Sequence, residues 1–194
     1  MKPIFRNLIT LGLITAVLYI AAVLTKNRES TLSQTEQEEF GKIEIVNAPP
    51  IEWEVAKLAY DGDTITVTRN GEKLKVRFAC IDAPELKQPM GKASRDYLRS
   101  LISKSNNKVG LNIITTDRYK RSVAEVWINS ESGIELVQSL MVVTGNAYPY
   151  ERYKNDCPSW NAVKISHEYA ENNNIGVWSG NYQPPWEYRK TKKR

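Results

Sequence analysis

Apolar and polar residues alternate along the middle of the chain, a pattern typical of β-strands that bury one face. The clearest alternation runs over residues 72–81 and places four apolar side chains on one face: Leu74, Val76, Phe78 and Cys80. The opposite face carries lysines and Arg77, as the solvent-facing side of a strand does. Residues 64–69 predict a second strand, and Asn70-Gly71 between the two strands is a strong signal for a tight hairpin turn.

The same periodicities predict the rest of the folded part. Alternation predicts three further strands, at residues 51–59, 109–113 and 124–128. Helical spacing of apolar residues predicts three helices, at residues 91–102, from Ile134 to a stop at Gly145, and at residues 159–173. Beyond Gly176 the tryptophans and Pro184-Pro185 predict an irregular segment. We therefore expect an α+β protein, a β-barrel with helices, for which a five-stranded OB-fold barrel with about three helices is the natural candidate.

The N-terminus has a different pattern, a run of 17 uncharged residues at positions 8–24. At about 1.5 Å per residue it spans roughly 25 Å, near the lower limit for a membrane core of about 30 Å. An uncleaved anchor is favoured over a signal peptide because no A-x-A cleavage site follows. We expect the domain to lie outside the cytosol, membrane-anchored, or secreted if the segment is cleaved.

The pattern divides the chain into four parts. We expect a transmembrane anchor or signal segment at residues 1–25, a polar linker at 26–50, the folded domain at 51–186 and a basic tail at 187–194.

Composition narrows the function only modestly. The chain has 194 residues, 41% hydrophobic and 25% charged, which fits one globular domain, and its net charge of +5 makes an anionic partner plausible. Cys80 and Cys157 fit one disulfide in an exported domain and fit two inert core thiols equally well. His167, the single histidine, lies on an apolar helix face and is expected to be a packing residue.

Carboxylates gather at both ends of the predicted hairpin, with Arg77 between them. Asp61-Gly62-Asp63 precedes the hairpin and Asp82-Ala83-Pro84-Glu85 follows it. Such oxygen ligands suit Ca²⁺ or Mg²⁺, whereas zinc sites use histidine clusters or paired cysteines. A cation beside a positively charged group is what cleavage of a phosphodiester requires.

Four spaced motifs resemble the staphylococcal nuclease (thermonuclease) family. Asp61-Gly62-Asp63-Thr64 is followed by Arg77 fourteen residues after Asp63, and Asp82-Ala83-Pro84-Glu85 begins five residues after that arginine. The other two matches are Asp117-Arg118-Tyr119-Lys120-Arg121 and the ending Gly176-Val177-Trp178. The resemblance covers roughly residues 51–178.

This resemblance implies a Ca²⁺-dependent endonuclease on an OB-fold barrel, which hydrolyses DNA and RNA and leaves 3′-phosphate ends. It implies that Asp63, Asp82 and the backbone carbonyl of Ala83 bind the metal, with Asp61 supporting them. Glu85 would position or deprotonate the attacking water. The implied phosphate-binding and substrate-binding residues are Arg77 and Arg121, then Tyr119, Arg118 and Lys120. No protein partner is inferred, and a monomer is expected.

The chain departs from the family pattern at three places. The prototype has threonine at Ala83, which should matter little because the backbone carbonyl is the implied ligand. Lys120 replaces a frequent glycine and could change the turn or add a phosphate contact. The family's second substrate tyrosine has three candidates, Tyr148, Tyr150 and Tyr153.

The alternative function is a catalytically inactive OB-fold module that binds nucleic acid and is tethered to a membrane. Such a module is expected to have lost at least one residue of the reaction centre. None is missing among Asp63, Arg77, Asp82, Glu85 and Arg121.

Overall fold

A computed structural model describes residues 48–131 and 133–192 of the chain. The predicted anchor and most of the predicted linker lie outside these residues, and the four-part division of the chain stays a prediction. Across the described ranges, the helices are all too short or too polar to cross a membrane.

Five strands form the barrel. They are β1 (Trp53–Lys57), β2 (Thr64–Arg69), β3 (Glu72–Phe78), β5 (Lys108–Thr116) and β6 (Ser122–Ser130). Neighbouring strands pair antiparallel in the order β3-β2-β1-β5-β6, and a parallel pairing of β3 with β6 closes the ring. The OB-fold-like α+β architecture predicted from the sequence is confirmed.

The β2–β3 hairpin folds as its sequence predicts. Asn70 and Gly71 both have positive φ, 49° and 84°, which a two-residue turn of this kind requires. The pairing of Thr64 with Arg77 at the open end of the hairpin brings the two predicted acidic ends together.

Two predicted strands are longer than the observed ones. β1 begins at Trp53 and ends at Lys57, so residues 51–52 and 58–59 lie outside it. β3 ends at Phe78 because the chain turns at Cys80, where φ is 68°, and a two-residue strand β4 (Ile81–Asp82) then pairs with β8 (Tyr148–Pro149). This turn directs Asp82 and Ala83 back towards the hairpin end.

Four α-helices lie among the described residues: α1 (Gly91–Lys104), α2 (Val137–Val143), α3 (Trp160–Asn172) and α4 (Pro185–Thr191). Two 3₁₀ segments occupy Glu151–Asp156, which is kinked at Tyr153, and Gly176–Trp178. The prediction that α2 begins at Ile134 was wrong, because strand β7 (Gly133–Leu136) first pairs with β6. The prediction of an irregular C-terminal segment was also wrong over Pro185–Thr191.

The core lies inside the barrel and beneath α1 to α3. Its innermost side chains, each no more than 1% exposed, include Val67, Val76, Phe78, Leu98, Val126, Met141 and Val163. Buried Gln138 ties α2 to the barrel, since its side chain accepts from Val126 N and donates to the Ala124 carbonyl. A disulfide joins Cys80 and Cys157, which resolves the alternatives left open by the sequence.

Candidate active site

Asp63 and Asp82 are brought together by the hairpin end and by the turn after β3. Their exposed fractions are 7% and 1%. Asp63 accepts a 2.8 Å hydrogen bond from the backbone N–H of Ala83 through Oδ2, so the two acidic motifs are directly connected. Gly62 permits this contact, because a Cβ there would lie 2.8 Å from the Cβ of Ala83.

Arg77 lies between the two carboxylates. Its guanidinium is 2.8 Å from Asp82 Oδ1 and 3.2 Å from Asp63 Oδ2. It also donates to the carbonyls of Phe78 and Ile81, at 2.7 and 3.0 Å. The sequence pattern alone made a solvent-facing arginine plausible, but only 14% of this side chain is exposed, since it turns into the acidic cluster.

Two carboxylates of the cluster, those of Asp61 and Asp82, resist ionisation. Burial, reinforced by the Asp63 carboxylate, raises the pKa of Asp61 to about 6. Burial also raises the pKa of Asp82 in spite of its contacts with Arg189 and Arg77. Additional positive charge at this place therefore stabilises the ionised cluster.

Glu85 lies at the mouth of the site, with 39% of its side chain exposed. Its backbone N–H donates to the side chain of Gln88, at 2.8 Å. Helix α1 begins at Gly91, where a Cβ would collide with the Glu85 carbonyl. The loop that carries Glu85 is therefore fixed against the start of α1 while its carboxylate reaches solvent.

Arg121 and its neighbours come from the turn between β5 and β6. Asp117 organises this turn: Oδ1 accepts from the backbone N–H groups of Tyr119 and Arg121, and Oδ2 accepts from Arg121 Nε at 2.8 Å. Tyr119 is 64% exposed, and Arg118 donates to its hydroxyl at 2.7 Å. β3 and β6 pair in parallel, with Arg77 opposite Val123. The turn that precedes β6 therefore lies beside Arg77.

The tyrosine candidates differ in position. Tyr148 is 4% exposed and packs edge-on against Trp178 and Trp186. Tyr150 stacks on Trp186 with 5.7 Å between ring centroids, and Tyr153 packs edge-on against Tyr150. Tyr150 and Tyr153 line the same cleft as the acidic cluster, and Tyr148 does not.

One open cleft of about 1270 Å³ collects nearly all of the predicted site residues. Those that line it are Asp61, Asp63, Arg77, Asp82, Ala83, Glu85, Arg118, Tyr119 and Arg121. Lys120 belongs to the same turn, with a left-handed φ of 61°, but is not among the described residues that line the cleft. The chemical role of each residue stays a prediction.

Two residues of the cleft were missed by sequence reasoning. Asp117 has no role of its own in the sequence prediction, where it only begins the motif that ends at Arg121, although an aspartate four residues before an arginine can indicate an ion pair. Arg189, assigned to a basic tail, lies 2.6 Å from Asp82 Oδ2 and 2.8 Å from Glu85 Oε1. Burial opposes the charge of Arg189, but Asp82 and Glu85 raise its pKa above the ordinary value. No sequence signal connects residues this far apart.

The residues fit a hard divalent cation. Asp63 and Asp82 offer buried carboxylate oxygens, and Ala83, which follows Asp82 directly, lines the same cleft. The guanidinium of Arg189 pairs with Asp82, so the carboxylates of the cluster attract positive charge. Cys80, Glu125 and Cys157 also approach one another, but the disulfide occupies both sulfurs.

Comparison with known proteins agrees with the geometry. The family model described as staphylococcal nuclease homologue matches residues 75–180. An uncharacterized endonuclease of Escherichia coli O157:H7 is 33% identical over 133 residues, covering 68% of this chain and 81% of that protein. Micrococcal nuclease of Shigella flexneri is 31% identical over 139 residues, 69% of this chain and 78% of that protein.

A plant relative is similar over a smaller share of its own length. Staphylococcal-like nuclease CAN1 of Arabidopsis thaliana is 33% identical over 123 residues, 63% of this chain and 35% of that protein. The family model covers the chain from within β3 to residue 180, a stretch that includes Arg77, Asp82, Glu85 and Arg121. The chain therefore belongs to the staphylococcal nuclease family of phosphodiester-hydrolysing enzymes.

Proposed function

We propose that this nuclease is a Ca²⁺-dependent endonuclease that cleaves DNA and RNA and leaves 3′-phosphate ends. The observation that carries the proposal is the convergence of Asp63 and Asp82 beside Arg77, in a cleft that Arg121 also lines. Metal dependence is a property of the family. The choice of Ca²⁺ is supported by the donor set, since Ca²⁺ accepts carboxylate and backbone carbonyl oxygens in irregular arrangements.

Asp63, Asp82 and the Ala83 carbonyl would hold the ion, and Asp61 would support them. When bound, Ca²⁺ supplies positive charge that polarises the phosphoryl group. Asp61 and Asp82 resist ionisation in the metal-free cluster, so binding of a cation favours their charged forms.

Glu85 is the proposed base. Its exposed carboxylate lies at the mouth of the cleft, where it can orient a water molecule and accept its proton. Arg77 and Arg121 would then neutralise the charge that develops on the phosphate oxygens, because planar guanidinium groups donate two parallel hydrogen bonds to them.

The turn and the tyrosines would bind the rest of the substrate. Arg118 and Tyr119 project from the exposed turn and suit contacts with a terminal phosphate or a base. Lys120 is not among the described residues that line the cleft and is the weakest of the predicted substrate contacts. Between the remaining candidates for the second substrate tyrosine, Tyr150 and Tyr153 are supported by their position in the cleft.

We further propose that the domain acts outside the cytosol as a monomer, either anchored to a membrane or secreted. The disulfide between Cys80 and Cys157 supports this location, since disulfides persist in oxidising compartments. Protease treatment of intact cells tests it: an exported domain is digested without lysis, and a cytosolic one is protected.

Metal removal is the decisive test of the proposed chemistry. Cleavage of plasmid DNA by the purified protein should begin on addition of Ca²⁺ and stop with excess chelator. A Glu85→Gln variant should retain Ca²⁺ binding and lose activity by about 10²-fold or more. Undiminished cleavage in chelator would contradict the metal assignment, and normal turnover of the variant would remove Glu85 as the base.

A further inference from the structure

Arg189 lies across the carboxylates that the proposed cation site needs. Its Nη2 is 2.6 Å from Asp82 Oδ2, and its Nη1 is 3.2 Å from Asp82 Oδ1 and 2.8 Å from Glu85 Oε1. Asp82 Oδ1 also accepts from Arg77 Nη2 at 2.8 Å. Both carboxylate oxygens of Asp82 therefore accept hydrogen bonds from guanidinium groups. The guanidinium of Arg189 also binds Glu85.

This arginine is presented by a docked helix. Trp186 of α4 stacks on Tyr150 and packs edge-on against Tyr148, and Pro185 is buried. Gln88, in the loop after Glu85, donates to the Gln183 carbonyl at 2.8 Å just before the helix. Helix α4 therefore attaches to both sides of the cleft.

Helix α4 also lies beyond the part of the chain that the family model matches, which ends at residue 180. Arg189 therefore lies outside that match, whereas Asp82 and Glu85 lie within it. Their contact is made by the C-terminal segment of this chain.

A divalent cation and Arg189 compete for the same oxygens. Metal ligation by Asp82 requires lone pairs that now accept N–H groups, and a doubly charged ion beside a guanidinium adds repulsion between like charges. In the absence of the metal, Arg189 compensates a cluster that contains Asp61, Asp63, Asp82 and Glu85. Both cations offset the negative charge of the cluster, and they compete for the same space.

We propose that Arg189 is an internal competitor for the divalent cation, so that metal binding requires its guanidinium to leave Asp82 and Glu85. The proposed cation site is the basis of this inference. Helix α4 then sets the metal concentration at which the enzyme becomes active, and Glu85 is released for catalysis only when the metal has entered.

Calorimetric titration of CaCl₂ into the metal-free full-length protein tests the proposal without any nuclease assay. Arg189→Ala should bind Ca²⁺ about tenfold tighter or more, because a charge-assisted contact with buried Asp82 no longer has to be broken. Lys192→Ala is the matched control: it removes the same charge from the end of α4, where Lys192 contacts the ring of Tyr188, and should bind as the wild type does.

Thermal unfolding gives a second readout. In chelator, Arg189→Ala should melt below the wild type, because the cluster has lost one of its positive partners, and saturating Ca²⁺ should remove the difference. Equal melting temperatures in chelator would show that Arg189 does not compensate the cluster.

The outcomes separate this inference from the proposed function. Equal or weaker Ca²⁺ binding by Arg189→Ala, with binding by the wild type intact, would overturn the competition alone. Binding only by the variant would support the competition. Absence of binding by both proteins would remove the cation site and, with it, both proposals.

Discussion

Arg77 and Arg121 line the same cleft, but they are held there by different kinds of contact. Arg77 donates to the carbonyl of Phe78 at the end of its own strand, to the carbonyl of Ile81 and to Asp82. It also forms an ion pair with Asp63 on the opposite side of the hairpin. Arg121 pairs with Asp117, four residues away in the same turn, and its guanidinium lies 5.5 Å from the ring centroid of Tyr119, also in that turn. The first arginine is positioned by tertiary structure, the second by a local turn.

The difference shows that two residues with the same proposed function can be positioned in different ways, one by tertiary contacts and the other by a local turn. Asp63 and Asp82 are buried, so removal of Arg77 leaves charges that water cannot solvate. Asp117 is partly exposed, so it remains hydrated when Arg121 is removed. We therefore expect Arg77 to contribute to stability as well as catalysis, and Arg121 to catalysis alone.

The largest expected effect comes from alanine at the two arginines. Arg77→Ala and Arg121→Ala should each lower the cleavage rate by about 10²- to 10³-fold, because each removes a group that stabilises developing charge. In chelator, Arg77→Ala should also lose about 2–3 kcal/mol in the free energy of unfolding, the range for a hydrogen bond to a charged group. Arg121→Ala should lose less than about 0.5 kcal/mol.

Urea denaturation in chelator measures both stabilities, and single-turnover cleavage measures both rates. Equal destabilisation of the two variants would contradict the distinction between a tertiary and a local arginine. A stable Arg77→Ala variant with lost activity would show that Arg189 alone is sufficient to compensate the acidic cluster.

A smaller effect is expected from Asp117→Asn, which keeps the size of the side chain and removes its charge. The backbone hydrogen bonds of the turn can persist, but the ion pair that orients Arg121 is lost. The cleavage rate should fall by about tenfold, within the range of one charge-assisted hydrogen bond. Asp96→Asn is the matched control, because Asp96 pairs with Arg95 and Arg99 on helix α1, and its rate should be unchanged.

The pH dependence of this loss follows from the pKa of Asp117. Burial opposes ionisation, but hydrogen bonds from Arg121 and Tyr119 lower the pKa below the ordinary value of 3.8. Because its pKa is lowered, Asp117 keeps its ion pair at every pH above the ordinary value of 3.8. It loses the pair as the pH falls through the lowered pKa. The ratio of variant to wild-type rates should therefore be constant from about pH 5 upwards. A ratio that changes near neutrality would show that another group positions Arg121.

Local patterns in the sequence predicted the barrel and the approach of Arg77 to Asp63. Strict alternation identified β3, and Asn70-Gly71 fixed the hairpin, so the meeting of Asp63 with Arg77 followed from strand register. The start of α2 was wrong because Ile134 and Leu136 satisfy the spacing of a strand and of a helix, and only pairing with β6 decides between them.

The sequence did not predict the contacts between residues that lie far apart in the chain. The disulfide depends on how the turn after β3 meets the segment before α3. Helix α4 was missed because its prolines resemble a break, although proline is favoured at the first helical position, where Pro185 lies. The approach of Arg189 to Asp82, 107 residues away, depends on how Trp186 docks α4.

The smallest expected effect tests how the turn itself is built. Lys120 adopts a φ of 61°, a left-handed conformation that costs a residue with a Cβ about 1 kcal/mol and costs glycine little. Lys120→Gly should therefore raise the free energy of unfolding by about 0.5 kcal/mol, less than the full strain because glycine gains freedom in the unfolded chain. Since Lys120 is not among the described residues that line the cleft, the cleavage rate should stay within about threefold of wild type.

Lys120→Ala separates the effect of the backbone strain from the effect of the charge, because it removes the charge and keeps the strain. Urea denaturation should show no gain in stability for the alanine variant, and a large loss of rate in both variants would instead identify Lys120 as a phosphate contact.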